Sequence, residues 1–198
     1  MTDFFEPNII NYTVFSLVGS FLLTFYLIPK IINVVNHKQL MDSPNSRSSH
    51  QQLTPTFGGI SFYVIIILAL LFLGKSIDDE HISLNIVAAI TILLFTGLKD
   101  DLVVISNFSK LIGQISAVCV FLYETPYMNL NFYGAFGLTE ITGVVGFGMM
   151  LLLMLLIINA FNLIDGIDGL AASVGVVILS CFGYIYYLSD EPFFVVIC

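Results

Sequence analysis

Residues 141–164 read ITGVVGFGMMLLLMLLIINAFNLI, a run without a single Asp, Glu, Lys or Arg. A spanning helix needs about 20 consecutive apolar residues, or as few as about 17, so this run predicts a transmembrane helix. Its last turns carry polar groups. Together with residues 165–169, DGIDG, they make a row of four polar side chains, Asn159, Asn162, Asp165 and Asp168, spaced three apart. Amides and carboxylates at a membrane helix end are costly to bury, so such groups face a cavity, a partner or an ion.

Outward from this run the same pattern repeats. Residues 7–29, 51–74, 82–98 and 169–189 are also free of formal charge, the third only at the lower length limit. Residues 111–123 are shorter and form a sixth span only if Lys110 snorkels or flanking residues join. The chain is 58% hydrophobic with 10% charged residues, and its mean hydropathy is +0.97. A soluble domain of 198 residues needs a more wettable exterior, so a soluble class is excluded. The expected fold is an all-α, polytopic transmembrane helix bundle of about six spans, forming a single integral membrane domain over residues 1–198. Cys119, Cys181 and Cys198 lie in or beside apolar segments without paired spacing and read as helix filler.

The acidic start, Met-Thr-Asp-Phe-Phe-Glu, lacks a basic leader region, and the first apolar run is long enough to span. Basic residues concentrate on the cytoplasmic side. With six alternating spans, Lys30, Lys38, Arg47, Lys99 and Lys110 share one side, and Lys75 alone falls on the other. This predicts an outside N-terminus and cytoplasmic connections near 30–57, 99–110 and 165–169. The cytoplasmic acids are then Asp42, Asp100, Asp101, Asp165 and Asp168; the other acids lie outside, so the net charge of −8 says little about substrate. After Asp190-Glu191-Pro192 a new apolar run starts and stops at Cys198. Backbone groups would be unpaired at a terminus inside lipid, so a piece of a longer protein, with the start of a seventh span, is expected.

Three cytoplasmic constellations carry the chemistry. Asp100-Asp101 follows the third span, at a helix C-terminus, where carboxylates are disfavoured by about 0.3–1 kcal/mol. It is either a solvated turn partly neutralised by Lys99 and Lys110, or a carboxylate pair that holds a cation or takes a proton. The row from Asn159 to Asp168 would drift about half a revolution on an ideal helix, so it shares one face only if the helix breaks at Gly166 or Gly169. Asn159 and Asn162 either bond across the bundle or serve a ligand, and Asp168 either caps the sixth span or reaches the site. Assigned to a site, Asn162 and Asp165 suit a divalent cation and its ligand. Mg2+ fits, because it takes hard oxygen ligands and bridges phosphates. In the first loop, Asp42-Ser-Pro-Asn-Ser-Arg47-Ser-Ser-His50 precedes Thr54-Pro-Thr-Phe-Gly58-Gly59. Arg47 and His50 are candidate phosphate contacts; the alternative for Arg47 is topology and anionic lipid.

In order and on one membrane face, these blocks resemble the polyprenyl-phosphate N-acetylhexosamine-1-phosphate transferase superfamily, of the glycosyltransferase family 4 type. The matching pieces are the Asp-x-Pro-Asn-x-Arg-x-x-His loop with its Pro-Thr-x-Gly-Gly, Gly97-Leu-Lys-Asp100-Asp101, and Asn159-Ala-Phe-Asn162-Leu-Ile-Asp165-Gly-Ile-Asp168-Gly169-Leu. The chain is most similar to the branch that loads GlcNAc-1-phosphate onto undecaprenyl phosphate, with the phospho-MurNAc-pentapeptide branch as near alternative. The resemblance implies a catalytic set of Asp100, Asp101 and Asp165. Asp100 would act as base or positioning group for the lipid phosphate, supported by Asp101. It further implies Asn162 as a Mg2+ ligand (Mn2+ the alternative), Asn159 and Asp165 around the diphosphate, and Asp168 near the nucleotide. Gly166, Arg47 and His50 complete the substrate-binding set. The family's later Gly-Asp-x-Gly-Ser segment, which brings a further Asp ligand, and its His-rich loop are missing, so this piece alone is expected to be inactive.

The implied reaction is attack of a polyprenyl phosphate on the sugar-side phosphorus of a UDP-N-acetylhexosamine, releasing UMP, at the cytoplasmic face of the plasma membrane. It would be the first membrane step of a cell-envelope polysaccharide. The expected partners are these two substrates, the lipid bilayer and, among assemblies, a homodimer, but no nucleic acid. A cation-coupled transporter is the rival from another class; it predicts acids near the bilayer midplane rather than at helix ends on one face. A non-catalytic membrane subunit is the third reading.

Overall fold

The structure is a computed structural model. It describes residues 9–38, 41–42, 54–55, 57–73, 80–103, 105–123, 130–134, 137 and 139–198. Among them are seven helices: α1 (Ile9–Lys38), α2 (Gly59–Leu73), α3 (Glu80–Leu102), α4 (Asn107–Leu122), α5 (Gly143–Ile164), α6 (Leu170–Leu188) and α7 (Pro192–Ile197). Two short antiparallel ribbons, β1 (Met41–Asp42) with β2 (Thr54–Pro55) and β3 (Leu130–Asn131) with β4 (Glu140–Ile141), are the only other regular elements described. The fold is an all-α membrane helix bundle. By length and composition α1, α5 and α6 can each cross a membrane. Their apolar side chains are largely exposed to the surroundings, Phe15, Val144 and Leu163 among them, as lipid permits and water does not.

Two helices depart from the expected spans. Within the uncharged stretch 51–74 the described helix is α2, 15 residues from Gly59 to Leu73. Thr54 and Pro55 are instead paired with Asp42 and Met41. Ser61, fully buried, donates to the carbonyl of Gly58 at 2.7 Å and closes the first turn. At about 1.5 Å per residue, α2 and the 16-residue α4 are shorter than a hydrocarbon core of about 30 Å. In the other direction, α1 runs through Pro29 to Lys38, so the first connection starts later than residue 30. A proline removes one helical hydrogen bond, and α1 resumes beyond it, with Nδ1 of His37 bonded to the Asn33 carbonyl at 2.8 Å.

The chain divides into two compact units, Met1–Asp78 with Ile164–Cys198, and Asp79–Leu163. In the first, α1, α2, α6 and α7 pack together. Short α7 folds back on α6 through the ring stack of Phe194 on Tyr186, centroids 4.9 Å apart. In the second, α3 and α4 form a tight hairpin whose buried face includes Ala89, Ala117, Val118 and Leu122. Gly113 sets their approach, since a Cβ there would lie 2.4 Å from Oγ1 of Thr96. Small residues at such crossings let helix backbones come close where lipid supplies no hydrophobic drive. At the far end of the hairpin the Asn85 amide donates to the Tyr123 carbonyl at 2.6 Å.

Candidate functional site

The site is assembled on the second unit, and its first anchor is the start of α4. Ser106 is the N-cap, in extended backbone conformation, and its Oγ accepts from the Ser109 N–H at 3.2 Å. Its carbonyl accepts from the Lys110 N–H at 3.1 Å. A side-chain cap is worth about 0.5–2 kcal/mol and decides where the helix begins. Here it places Lys110 in the first turn of α4, across a four-residue connection from the last turn of α3. Asp100 and Asp101 lie inside that last turn rather than after it, since α3 continues to Leu102 and the Val103 N–H bonds the Lys99 carbonyl at 2.9 Å.

Lys110 Nζ donates to Asp100 Oδ2 at 2.9 Å and to Asn162 Oδ1 at 3.1 Å. The ammonium therefore joins a carboxylate from α3 to an amide oxygen from α5. Helix dipoles explain why it is needed. The carboxylates of Asp100 and Asp101 sit at the negative end of α3, and an ammonium in the first turn of α4 sits at a positive end; each is disfavoured alone. Paired, they compensate. Asp100 and Lys110 are each partly exposed, at 29% and 27% for the side chains, so water and a ligand can reach them. Asp101, the next residue round the helix, is exposed.

One turn further along α4, Gln114 makes a second rung. Asn159 Nδ2 donates to Gln114 Oε1 at 3.0 Å, and Gln114 Nε2 donates back to Asn159 Oδ1 at 3.4 Å. Asn159 Nδ2 also donates to the carbonyl of Leu155 at 2.8 Å. Of the two readings open for the asparagines, Asn159 bonds across helices to Gln114, and Asn162 faces the cation of Lys110.

The rest of the row lies in the other unit. Helix α5 ends at Ile164, and residues 165–169 form a turn held by the N–H of Ile167 to the Ile164 carbonyl (3.2 Å) and of Leu170 to Ile167 (3.1 Å). Gly169 adopts φ 75°, a left-handed value that glycine takes without steric cost. It is also the N-cap position of α6, with no side-chain cap bond, so the capping alternative for Asp168 is corrected: the cap is one residue later and carries no side chain. Ser173 Oγ returns to the Gly169 carbonyl at 2.8 Å. Among the described residues the side chains of Asp165 and Asp168 have no hydrogen-bond or ion-pair partner, and both are exposed, as is Gly166. Arg47 and His50 fall outside the described residues.

Two residues of the constellation, Lys110 and Gln114, were not assigned to it from sequence. Lys110 entered there only as a topological or neutralising charge. Their signal was present: Lys110 and Gln114, one helical turn apart on a mostly apolar α4, share a face. As to a metal, no group of three His, Cys, Asp or Glu side chains gathers among the described residues. The donors that do converge are hard oxygens, one carboxylate and one amide, both within 3.1 Å of a cationic nitrogen. A two-oxygen set of this kind suits Mg2+, which completes its shell with waters and substrate phosphates.

These features define a membrane helix bundle in which a cation on α4 joins polar groups of α3 and α5. A family model, Glycosyl transferase family 4, matches residues 83–198, more than half of the chain and all of the α4–α5 site. The chain belongs to that family, the polyprenyl-phosphate sugar-phosphate transferases, whose members are glycosyl phosphotransferases acting on a polyprenyl phosphate and a sugar nucleotide. No curated protein and no solved structure matches the chain.

Proposed function

We propose that the protein transfers N-acetylhexosamine-1-phosphate, in particular GlcNAc-1-phosphate, from a UDP-sugar to undecaprenyl phosphate with release of UMP. The active site faces the cytoplasm, where the soluble donor meets the lipid-embedded acceptor, and the product starts a cell-envelope polysaccharide. One observation carries the reading: oxygens of Asp100 and Asn162, from different helices, converge on a single cation position held by Lys110. That is the arrangement phosphoryl transfer asks of a protein, which has to position two anions and neutralise their charge.

In this reading Asp100 takes the proton of the lipid phosphate or orients its attacking oxygen, with Asp101 beside it. The oxygen forms a bond to the sugar-side phosphorus as the bond from that phosphorus to the UMP oxygen breaks. Asp100 and Asn162 would be the residues to supply oxygens to Mg2+, or to Mn2+ in its place. The metal, when bound, supplies charge neutralisation of the diphosphate. Lys110 offers its ammonium to phosphate oxygens of the substrates. The family resemblance assigns Asp165 and Asp168 to the donor, with Gly166 allowing close backbone approach. Arg47 and His50 are assigned to phosphate recognition.

The test is UMP release from UDP-GlcNAc and undecaprenyl phosphate by the intact protein in membranes. Release should require a divalent cation, stop with EDTA and return with Mg2+. Asp100→Asn and Asp165→Asn should each lower turnover by about 10²–10⁴-fold, the range of general acid–base and electrostatic groups. Activity that persists in EDTA, or in Asp100→Asn, would sink the assignment. A preference for UDP-MurNAc-pentapeptide over UDP-GlcNAc would move the protein to the neighbouring branch.

A further inference from the structure

Gln114 is 3% exposed on an apolar helix, and a buried amide costs free energy unless its groups are matched. Its match is Asn159. That asparagine has two amide hydrogens, and both are used, one on Gln114 Oε1 at 3.0 Å and one on the Leu155 carbonyl at 2.8 Å. Its donor capacity is spent inside the protein. We infer that Gln114 and Asn159 are positioning residues, an amide clasp that fixes α5 against α4 so that Asn162 meets Lys110. The inference rests on the reading of Asp100, Lys110 and Asn162 as the reacting centre.

Packing explains why a clasp is required. The extensive helix contact in this unit is between α3 and α4, and α5 has no comparable apolar seam with α4. In lipid an apolar seam would in any case give little drive, whereas hydrogen bonds and close packing set the register. The rungs Lys110–Asn162 and Gln114–Asn159 run antiparallel, four residues apart on α4 and three on α5. At about 1.5 Å of rise per residue those separations are about 6 and 4.5 Å. Sliding α5 by one turn or rotating it by one residue breaks both rungs together. The Lys110–Asn162 bond alone hangs on a flexible four-carbon stem and cannot hold that register.

The experiment is a double-mutant cycle on the intact protein, with Gln114→Asn, Asn159→Gln and the two combined, plus Gln114→Leu. The combined variant exchanges the two amides and keeps their summed length. Gln114→Leu should lower kcat for UMP release by about ten- to a hundredfold, as misplacement of about 1 Å does, with KM for the sugar nucleotide little changed. Its Tm should fall by several degrees. Each single amide change should show part of both losses, and the exchange should restore most of both. Two results overturn the clasp. One is a combined variant no better than Asn159→Gln, with KM raised, because Asn159 then touches ligand. The other is additive Tm losses, because the two amides then do not interact. If the unmodified protein releases no UMP, the functional reading falls on its own, and the Tm cycle still decides the clasp.

Discussion

The α3–α4 junction, with its acids at the end of α3, and the acidic α5–α6 turn are built in opposite ways. Between α3 and α4, Ser106 caps the outgoing helix with its side chain, and Asp100 is paired with Lys110 at 2.9 Å. Between α5 and α6, the glycine Gly169 stands at the cap without a side-chain bond, and the Asp165 and Asp168 carboxylates have no side-chain partner among the described residues. Both stretches are acidic, short and next to apolar helices. The difference is where the compensating charge comes from. The first connection carries its own cation and is organised before any ligand arrives. In the second, the carboxylates are exposed and make no internal pair among the described residues.

Among the changes that test this contrast, the largest effect should come from removing the internal cation. Lys110→Met keeps most of the stem but leaves Asp100 and the end of α3 uncompensated, and Asn162 loses its partner. UMP release should fall by about 10²–10³-fold, the loss seen when one preorganised charge-stabilising donor is deleted. The stability cost should fall between the ~0.2–1 kcal/mol of exposed pairs and the ~3–5 kcal/mol of breaking buried ones. Lys110→Arg keeps the charge in a planar fork and should recover only part of the activity. Wild-type turnover in Lys110→Met would mean that the braced connection is only scaffold, and the contrast with the open turn would lose its functional meaning.

The sequence is legible in unequal parts for the same physical reason. Long uncharged runs reveal α1, α5 and α6, because lipid leaves no other way to satisfy a backbone. Gly166 and Gly169 in the row mark the break after Ile164, so the row is divided where the glycines stand. What composition could not reveal is pairing across helices. That Lys110 turns to Asp100 and Asn162, and Gln114 to Asn159, depends on the rotation of three helices about their axes, set by contacts such as Gly113 on Thr96. The short α2 was hidden as well, since an apolar stretch does not announce that its first residues pair as a strand. Charge content locates the site; helix rotation decides who meets whom within it.

That dependence gives the middle prediction. A methyl at Gly113 would sit 2.4 Å from Thr96 Oγ1 and 2.8 Å from Thr96 Cγ2, and Thr96 is β-branched with its hydroxyl bonded to the Ile92 carbonyl at 2.8 Å. Gly113→Ala should therefore push α3 from α4 and cost about 1–3 kcal/mol, as overpacking does. Thermal unfolding should show it as a drop of about 2–4 °C per kcal/mol. Thr96→Ala in the same protein removes both close atoms and should return most of the Tm. No change in Gly113→Ala alone would show the hairpin to be looser than its contacts, and the frame half of the comparison would weaken.

The smallest effects test the two caps against each other. Ser106→Ala removes the acceptor of the Ser109 N–H but leaves the Lys110 N–H on the Ser106 carbonyl, so α4 should fray without shifting. The expected cost is about 0.5–2 kcal/mol. Asp168→Ala removes a carboxylate that caps nothing, since α6 begins at Leu170 behind Gly169, and its stability should stay within about 0.5 kcal/mol of the parent. The pair is informative because activity should move the other way. Ser106→Ala leaves every polar contact of Lys110 in place, whereas Asp168→Ala removes a group assigned to the donor. Stability lost with turnover retained at Ser106, against stability retained with turnover lost at Asp168, separates the braced connection from the open one by two independent readouts. If Asp168→Ala instead destabilised the protein as a lost cap does, its carboxylate would belong to the helix, and the open turn would have one acid fewer to offer a ligand.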